Sequence, residues 1–503
     1  MKPVNNTAFT DRMNPFSAAL LFSSALLIAS SATADWPQWR GPNRSGYAES
    51  GSLLTELPAD GLQSVWRFPA LQGGTSGGWS SPVISGNHVF VYSHSKTKNE
   101  GTNLGEAKFP WLPESKRTGM TDKEYREYEV KRRDENEQRA KAYKFNERML
   151  CLDLATGEVV WDRNEESIYT RFTQSSTPCI ANGKILVLTP ERTAKCFDAA
   201  TGNTLWSQRL PGDFRDEFYA SSFIVASSGT ASVAIVACGP LFGLNIDDGE
   251  ILWKGDGESD YQSHSSPVIW KAGDTAIAIA NTSGGRTQAY RVKDGSKLWE
   301  VRSGGGNATP IVAGDKLLTY GSSRKSGLTA FQLDPAAPET APEQAWRFQR
   351  AADSGSTPVV IGDHVFVQGE KRVAKVNLAD GSSVWQTTLS ISTPKYTSMI
   401  AAGDQLFYSW EGLLAFQADG DDFKMVYDAE IDSKSRLIRG DDLRRLLKLD
   451  EVKAGDGGLA ESEKIWQKEA IKSGPLGCST PAFSDGRMVL RLRDAVICFD
   501  LRR

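Results

Sequence analysis

From about residue 80 to the C-terminus the chain alternates short apolar runs with glycine-centred turns. Residues 357–387 show one period: TPVVI, a Gly-Asp turn, HVFVQG, a short charged turn, VAKVNLA, an Asp-Gly turn, then SSVWQT. β-Branched and aromatic residues at alternate positions between such turns predict four short antiparallel strands. The pattern returns along the chain. Its last strand carries a tryptophan at Trp161, Trp206, Trp253, Trp299, Trp346 and Trp385, at spacings of 45, 47, 46, 47 and 39 residues. Tyr427, in FKMVY, follows 42 residues later. A small, hydroxyl-rich marker opens each unit: SSP (80–82), STP (176–178), SSF (221–223), SSP (265–267), ATP (308–310), STP (356–358), TSM (397–399) and STP (479–481).

Eight starts of four-stranded units, each of ~40–45 residues, predict an all-β chain folded as a β-propeller. The eighth start precedes AFSDGRMVLRLRDAVICFDL, enough for three strands. SVWRF (64–68) reads as an outer strand with its own tryptophan, Trp66, and no other partner. The expected architecture is therefore an eight-bladed β-propeller of four-stranded antiparallel blades over residues 35–503, closed by this N-terminal strand. Such closure removes sheet edges between the first and last blades.

Two stretches interrupt the period. Residues 94–147 fall between the second and third strands of the first unit. They begin a helix with the capping box TDKE (121–124), and a highly charged helical stretch runs to about Lys144. Residues 430–474 separate the seventh and eighth units. Leu443, Leu446 and Leu447 form one helical stripe there, and Ile465, Trp466 and Ala470 another. Each insertion reads either as a lid or partner-docking element or as ornament over blade surface.

The turns CLDLATGEVVW (151–161) and CFDAATGNTLW (196–206) join third and fourth strands. Asp153 and Asp198 are placed to accept turn amides, and Gly157 and Gly202 to take positive φ. The tryptophans Trp66, Trp161, Trp206, Trp253, Trp299, Trp346 and Trp385 are expected to pack between neighbouring blades. The D-x-x-T-G-x-x-x-W pattern resembles the tryptophan-docking motif of the pyrroloquinoline-quinone (PQQ) dehydrogenases. Weaker copies are NIDDGEILW (245–253), RVKDGSKLW (291–299) and NLADGSSVW (377–385), and DWPQWRGPNRSGY (35–47) is similar to the opening segment of those enzymes. The same repeat occurs in non-enzymatic propellers such as the outer-membrane assembly lipoprotein. The resemblance covers most of 35–503 and implies the eight-bladed fold more specifically than any activity.

In a four-stranded meander, the start of the inner strand and the turn between strands two and three share one end, and the D-x-x-T-G turns lie at the other. The ligand face is expected at the first end. Its inner ring is Trp79, Ser175, Ala220, His264, Asn307, Gly355, Tyr396 and Cys478. Its turns carry Glu191, Arg192, Arg286, Arg324, Lys325, Glu370, Lys371, Arg372, Glu411, Arg493 and Asp494. Converging loops make a natural concave site, and solvated turn charges are the plainer reading of the same residues.

The dehydrogenase resemblance implies PQQ beside a Lewis-acid calcium held by carboxylate and amide oxygens, with a carboxylate base. Adjacent cysteines above the quinone, common in that family, are missing, as is a CxxCH haem motif. The inner ring offers Asn307 but no Asp or Glu. No catalytic residue and no metal ligand is assigned. The expected function is an exported scaffold that binds a protein partner or a small-molecule or glycan ligand at the loop face. A PQQ- and calcium-dependent dehydrogenase of alcohols or sugars is the alternative. A glycan hydrolase or lyase, with Trp79, Tyr396 and Trp410 stacking on sugars, is a third.

The composition agrees with an exported globular chain. Lys and Arg number 58 against 62 Asp and Glu, a net charge of -4, without the basic footprint of a nucleic-acid binder. Residues 1–34 read as a signal peptide: Lys2 and Arg12 flank the apolar run 16–30, and Ala32-Thr33-Ala34 is a cleavage site. No later run is long enough to span a membrane, so the expected location is periplasmic or extracellular. The six cysteines form no CxxC pair, and Cys151, Cys196 and Cys498 share one place in three repeats, which favours buried thiols over a disulfide framework.

Overall fold

The computed structural model describes residues 35–503 except 171–172, 213–220, 229–230, 257–263, 354, 395 and 473. The 1–34 leader and the ring position Ala220 lie outside the described residues. The chain is all-β: among the described residues the strands gather into eight sheets, seven of them four-stranded and antiparallel. In the second sheet, for example, Cys179–Ala181, Lys184–Thr189, Thr193–Asp198 and Thr204–Arg209 pair in sequence order. Trp66–Pro69 is the outer strand of the eighth sheet, paired antiparallel with Ala495–Asp500 and with Trp66 opposite Cys498.

Burial falls from the second strand of a sheet to its outer strand. Lys184–Thr189 is buried along nearly its whole length, whereas Thr204–Arg209 buries only Trp206. The hydrophobic effect is therefore concentrated between sheets, and each outer strand is held by one large ring. A one-residue register shift follows each outer hairpin, as between Cys151 and Leu152 or Cys196 and Phe197. This bulge sets each tryptophan opposite a small residue: Cys151, Cys196, Gly243, Ala289 and Ala330 face Trp161, Trp206, Trp253, Trp299 and Trp346. The repeated cysteines are thus packing residues, chosen for size. None of the six cysteines is in a disulfide, and burial pushes the thiols of Cys151, Cys179, Cys196 and Cys498 up to about 12.

Each tryptophan indole then donates to the next sheet. Trp66 reaches Leu154 O at 2.9 Å, Trp161 Ala199 O at 3.1 Å, Trp206 Ile246 O at 3.0 Å, Trp253 Val292 O at 2.8 Å, Trp299 Pro338 O at 3.1 Å and Trp346 Leu378 O at 2.9 Å. A Cβ on Gly157 would lie 2.6 Å from Trp66, and one on Gly202 2.5 Å from Trp161, so the turn must offer bare backbone to the ring. Asp153 Oδ1 and Asp198 Oδ1 accept the turn amides of Thr156 and Thr201, both at 2.8 Å. Trp385 departs from the series. Lys375, rather than a small residue, faces it, and the Lys375 ammonium donates to Gly420 O at 2.9 Å. Phe423 meets the Trp385 ring edge-on at 5.4 Å, and its Nε1 has no acceptor among the described residues.

The hydroxyl markers join the inner strands. Backbone N–H groups donate to the hydroxyl of the next marker from Ser81 to Thr177, Thr177 to Ser222, Ser222 to Ser266, Ser266 to Thr309, Thr309 to Thr357 and Thr357 to Ser398, at 2.9–3.0 Å. Thr480 N–H donates to Ser81 Oγ at 2.9 Å, tying the last marker to the first.

The N-terminal segment crosses this inner ring. Trp36 bridges to Ile84, Ile180 N–H donates to Pro37 O at 2.7 Å, and Tyr47–Ala48 runs parallel to Ile400–Ala402. The glycine-rich stretch before the first sheet is a packed turn: Gly74 and Gly78 form a bridge, and Arg491 donates to Gly77 O at 2.9 Å.

Both insertions are smaller than the pattern suggested, because their ends continue the sheet. Of 94–147, the strands of the first sheet take His88–Lys98 and Tyr143–Asp153, leaving 99–142 as the true excursion. Its helix α1 spans Asp122–Ala140, four residues short of Lys144, with Thr121 and Glu124 making the capping box. Phe109 packs edge-on to Tyr128 at 5.6 Å, and Glu135 accepts the amides of Lys108 and Phe109, so α1 is bound to its own loop. Of 430–474, Met425–Ile431 is the outer strand of the seventh sheet and carries Tyr427, and Arg436–Arg439 adds to it. Helices α2 (Gly440–Leu446), α3 (Leu449–Lys453) and α4 (Gly458–Trp466) follow. Leu443, Leu449, Trp466 and Ala470 form their core, while Leu446 points outward at 47% exposure, so the leucine stripe shifts to Leu449. Among the described residues no helix is long and apolar enough to cross a membrane.

Candidate functional site: the loop face

The loops before the inner strands and the turns between second and third strands gather at one end of the sheets. Trp79 and Asn307 sit there half-buried, with Trp79 N–H 3.4 Å from Ser175 Oγ. Tyr396 and His264 meet, although they precede the seventh and fourth sheets. Their rings are edge-to-face at 6.2 Å, and burial lowers the His264 pKa to about 4, so the imidazole is neutral. Tyr396 has a φ of 56° and is 41% exposed, and its ring occupies the space where a Gly355 side chain would be.

Beneath this pair lies a carboxylate that the repeat pattern did not mark. Asp353 is buried, and its Oδ1 accepts Gly355 N–H at 2.8 Å and Ser356 N–H at 2.7 Å. Tyr320, Tyr396, Tyr408 and Cys478 surround it closely enough to feel its charge. Burial first, and Asp353 second, raises the pKa of all four, and Cys478 reaches about 12. Tyr320 donates to Gln368 O at 2.8 Å, while the buried Tyr408 hydroxyl has no partner among the described residues. The centre of the face is therefore a set of neutral hydroxyls around one carboxylate.

The turn charges form a rim. Arg324 donates to Glu370 at 2.8 and 3.1 Å across neighbouring sheets, and Arg372 reaches the same carboxylate at 2.9 Å. Arg286 pairs with Glu300, which hydrogen bonds from Gln288, Lys297 and Arg286 hold down to about 2. Glu411 accepts from Ser392 N–H at 3.1 Å, and Trp410 donates to Ser392 Oγ, also at 3.1 Å. Asp494 pairs with Arg67 at 2.8 Å, and Arg493 takes part through its carbonyl, which accepts Gly73 N–H at 2.9 Å. Such exposed pairs contribute ~0–1 kcal/mol each; they fix a charge pattern more than they hold the fold.

Arg192 is a correction. Its backbone is left-handed (φ 57°) and its side chain runs inward, where it is 4% exposed and donates to Pro211 O at 2.7 Å and to Cys238 O. It braces the second and third sheets instead of facing a ligand. Glu191, also left-handed at φ 59°, remains in the turn, half-buried. Glu430 was not singled out by pattern. It lies against the seventh-sheet mouth turn, where a Cβ on Gly412 would come within 3.1 Å of its Oε2, and burial lifts its pKa to about 8.

Repeated four-stranded sheets, docking tryptophans and a loop face at the inner-strand starts define a β-propeller of PQQ-like repeats. The chain belongs to the family described as outer membrane protein assembly factor BamB, whose model matches residues 146–387 and 306–421, together more than half of the chain. It is 26% identical over 273 residues to the outer membrane protein assembly factor BamB of Shewanella oneidensis, a match that spans 50% of this chain and 65% of that relative's length. Among solved structures it resembles a europium-containing methanol dehydrogenase, with a TM-score of 0.54 at 11% identity, covering 93% of this chain and 98% of that one. It also resembles the quinohemoprotein alcohol dehydrogenase of Comamonas testosteroni, with a TM-score of 0.50 at 10% identity, covering 93% and 80%. At such identities the likeness is one of fold.

The donor set does not fit a quinone–calcium centre. Among the described residues no three His, Cys, Asp or Glu side chains come together to hold a metal. Asp353 stands alone among tyrosines, one of its oxygens taken by two amides.

Proposed function

We propose that this chain is an exported eight-bladed propeller that serves as a protein-binding scaffold in cell-envelope assembly, presenting its loop face to a partner. Residues 1–34 are its signal peptide and 35–503 its single domain. Closure by Trp66–Pro69 is supported by that strand's pairing with Ala495–Asp500 and by the hydroxyl link from Thr480 back to Ser81. The observation that carries the scaffold reading is the make-up of the loop face: an exposed rim of fixed charges, Arg324, Glu370 and Arg372, around an aromatic centre topped by Tyr396. Exposed aromatics inside a charged rim suit a protein surface. Family membership points the same way. The quinoprotein alternative has fold likeness behind it and, among the described residues, no donor set.

The test has two arms. PQQ and calcium are added to the purified mature protein while quinone absorbance and dye-linked alcohol oxidation are followed. The expected outcome is neither saturable absorbance nor turnover, and turnover sinks the scaffold reading. In parallel, a Glu370→Arg, Tyr396→Ala variant is compared with the parent for co-purified envelope proteins, and an unchanged set counts against the loop face.

A further inference from the structure

Among the described residues, the three most deeply buried arginines have no carboxylate partner. Arg40 and Arg44 come from the N-terminal segment and Arg491 from the eighth sheet, and each is at most 1% exposed. Among the described residues no Asp or Glu contributes to the electrostatics of any of them. A buried cation is unfavourable unless charge or dipoles replace its hydration.

The three are compensated unequally. All five N–H groups of Arg40 meet carbonyls: Nη1 donates to Thr357 O and Met399 O, Nη2 to Pro358 O and Ser45 O, and Nε to Arg44 O. Arg491 donates from Nη1 to Ser80 O and Tyr92 O and from Nη2 to Gln72 O and Gly77 O, all at 2.8–2.9 Å, leaving only Nε open. Arg44 donates from Nη2 alone, to Ser222 O at 2.8 Å and to Phe223 O. Its Nε and Nη1 are buried with no acceptor among the described residues. Three donors of one guanidinium therefore point into the interior unmatched.

Losing the proton does not resolve this. Burial lowers the Arg44 pKa only to about 10, so the side chain is a cation at neutral pH. The acidic group that Arg44 feels is the Cys179 thiol, and burial pushes that thiol up to about 12, so it is protonated. The surroundings are closed: Cys179, Ser222 and Phe223 are all buried. A bulky organic anion would have to displace core, whereas a single-atom ion needs the least room.

We propose that the interior holds a small inorganic anion of halide size, seated against the open Nε and Nη1 donors of Arg44. The site is set by the N-terminal segment and is independent of the loop face, so it stands or falls apart from the scaffold reading.

The test uses bromide on the full mature protein. Melting temperature is followed as sodium bromide replaces sodium gluconate at constant ionic strength, and a crystal grown without halide is soaked in bromide. The expected result is a saturable rise of about 1–2 °C, absent in Arg44→Met, and an anomalous bromide peak within hydrogen-bonding distance of Arg44 Nε or Nη1. Should Arg44→Met fail to fold, the anomalous peak in the parent protein decides. A crystal with bromide only at surface sites, or a melting response identical in parent and Arg44→Met, overturns the proposal and leaves water as the filler.

Discussion

Trp161 and Trp385 occupy equivalent places in two sheets, and phenylalanine substitutions separate what their rings and their indole N–H groups contribute. Each tryptophan is 7% exposed. Replacing either ring with phenylalanine removes similar apolar contact, worth ~1–2 kcal/mol in a packed groove. Trp161→Phe also loses the 3.1 Å bond to Ala199 O, whereas Trp385 Nε1 has no acceptor to lose among the described residues. A net hydrogen bond contributes ~1 kcal/mol, and abandoning a buried acceptor raises the loss to ~1–3 kcal/mol. Trp161→Phe is therefore expected to cost about 2–5 kcal/mol and Trp385→Phe about 1–2 kcal/mol. Urea unfolding followed by circular dichroism gives both values, provided the m-values match the parent's. Equal losses, or a larger one for Trp385→Phe, would refute the view that the indole donor links neighbouring sheets.

Gly202 and Gly183 share a φ of about 70°, but a Cβ meets Trp161 at 2.5 Å in the first and open space in the second. Gly202→Ala should cost about 2–4 kcal/mol and Gly183→Ala about 1–2 kcal/mol by the same unfolding assay. His94 is neutral by construction: its Nδ1 accepts Gln174 N–H at 3.0 Å, its Nε2 donates to Ile168 O at 3.2 Å, and burial lowers its pKa to about 4. Between pH 6.5 and 4 the unfolded chain binds a proton that the folded chain refuses, so stability falls with pH there, by up to ~3 kcal/mol for this residue. His94→Gln should flatten that slope, and an unchanged slope contradicts the assignment. Thiol titration at pH 8 should find Cys151, Cys179, Cys196, Cys238 and Cys498 inert in the native protein and all six cysteines reactive in urea; rapid native reaction would contradict their burial.

The sheets were legible because each depends on a local signal. The tryptophan interval, the Asp-Gly turns and the hydroxyl markers all recur, and each marks one strand or turn. The size rule opposite the tryptophans was present in the sequence but unreadable without the bulge that aligns Cys196 with Trp206. The limits of the insertions were misjudged because charged residues such as Lys96 and Lys98 occupy strand positions, where pairing with Phe145 and Tyr143 decides the conformation. The loop face was legible as a set of positions and not as a site. His264 and Tyr396 meet over 132 residues of sequence, and Asp353 has no counterpart in the other units to mark it. Arg192 shows the reverse error: a mouth-turn arginine whose side chain donates to carbonyls of the second and third sheets in the interior.

The central claim is that the loop face binds a protein partner and the docking-turn face does not. A photo-crosslinking residue placed at Glu370 or Tyr396 on the loop face, and at Asp198 or Asp380 on the opposite face, tests it in intact cells. The account predicts a discrete adduct to the same envelope protein from both loop-face positions and none from the docking turns. Adducts from Asp198 or Asp380 alone, or none from any position, would contradict it.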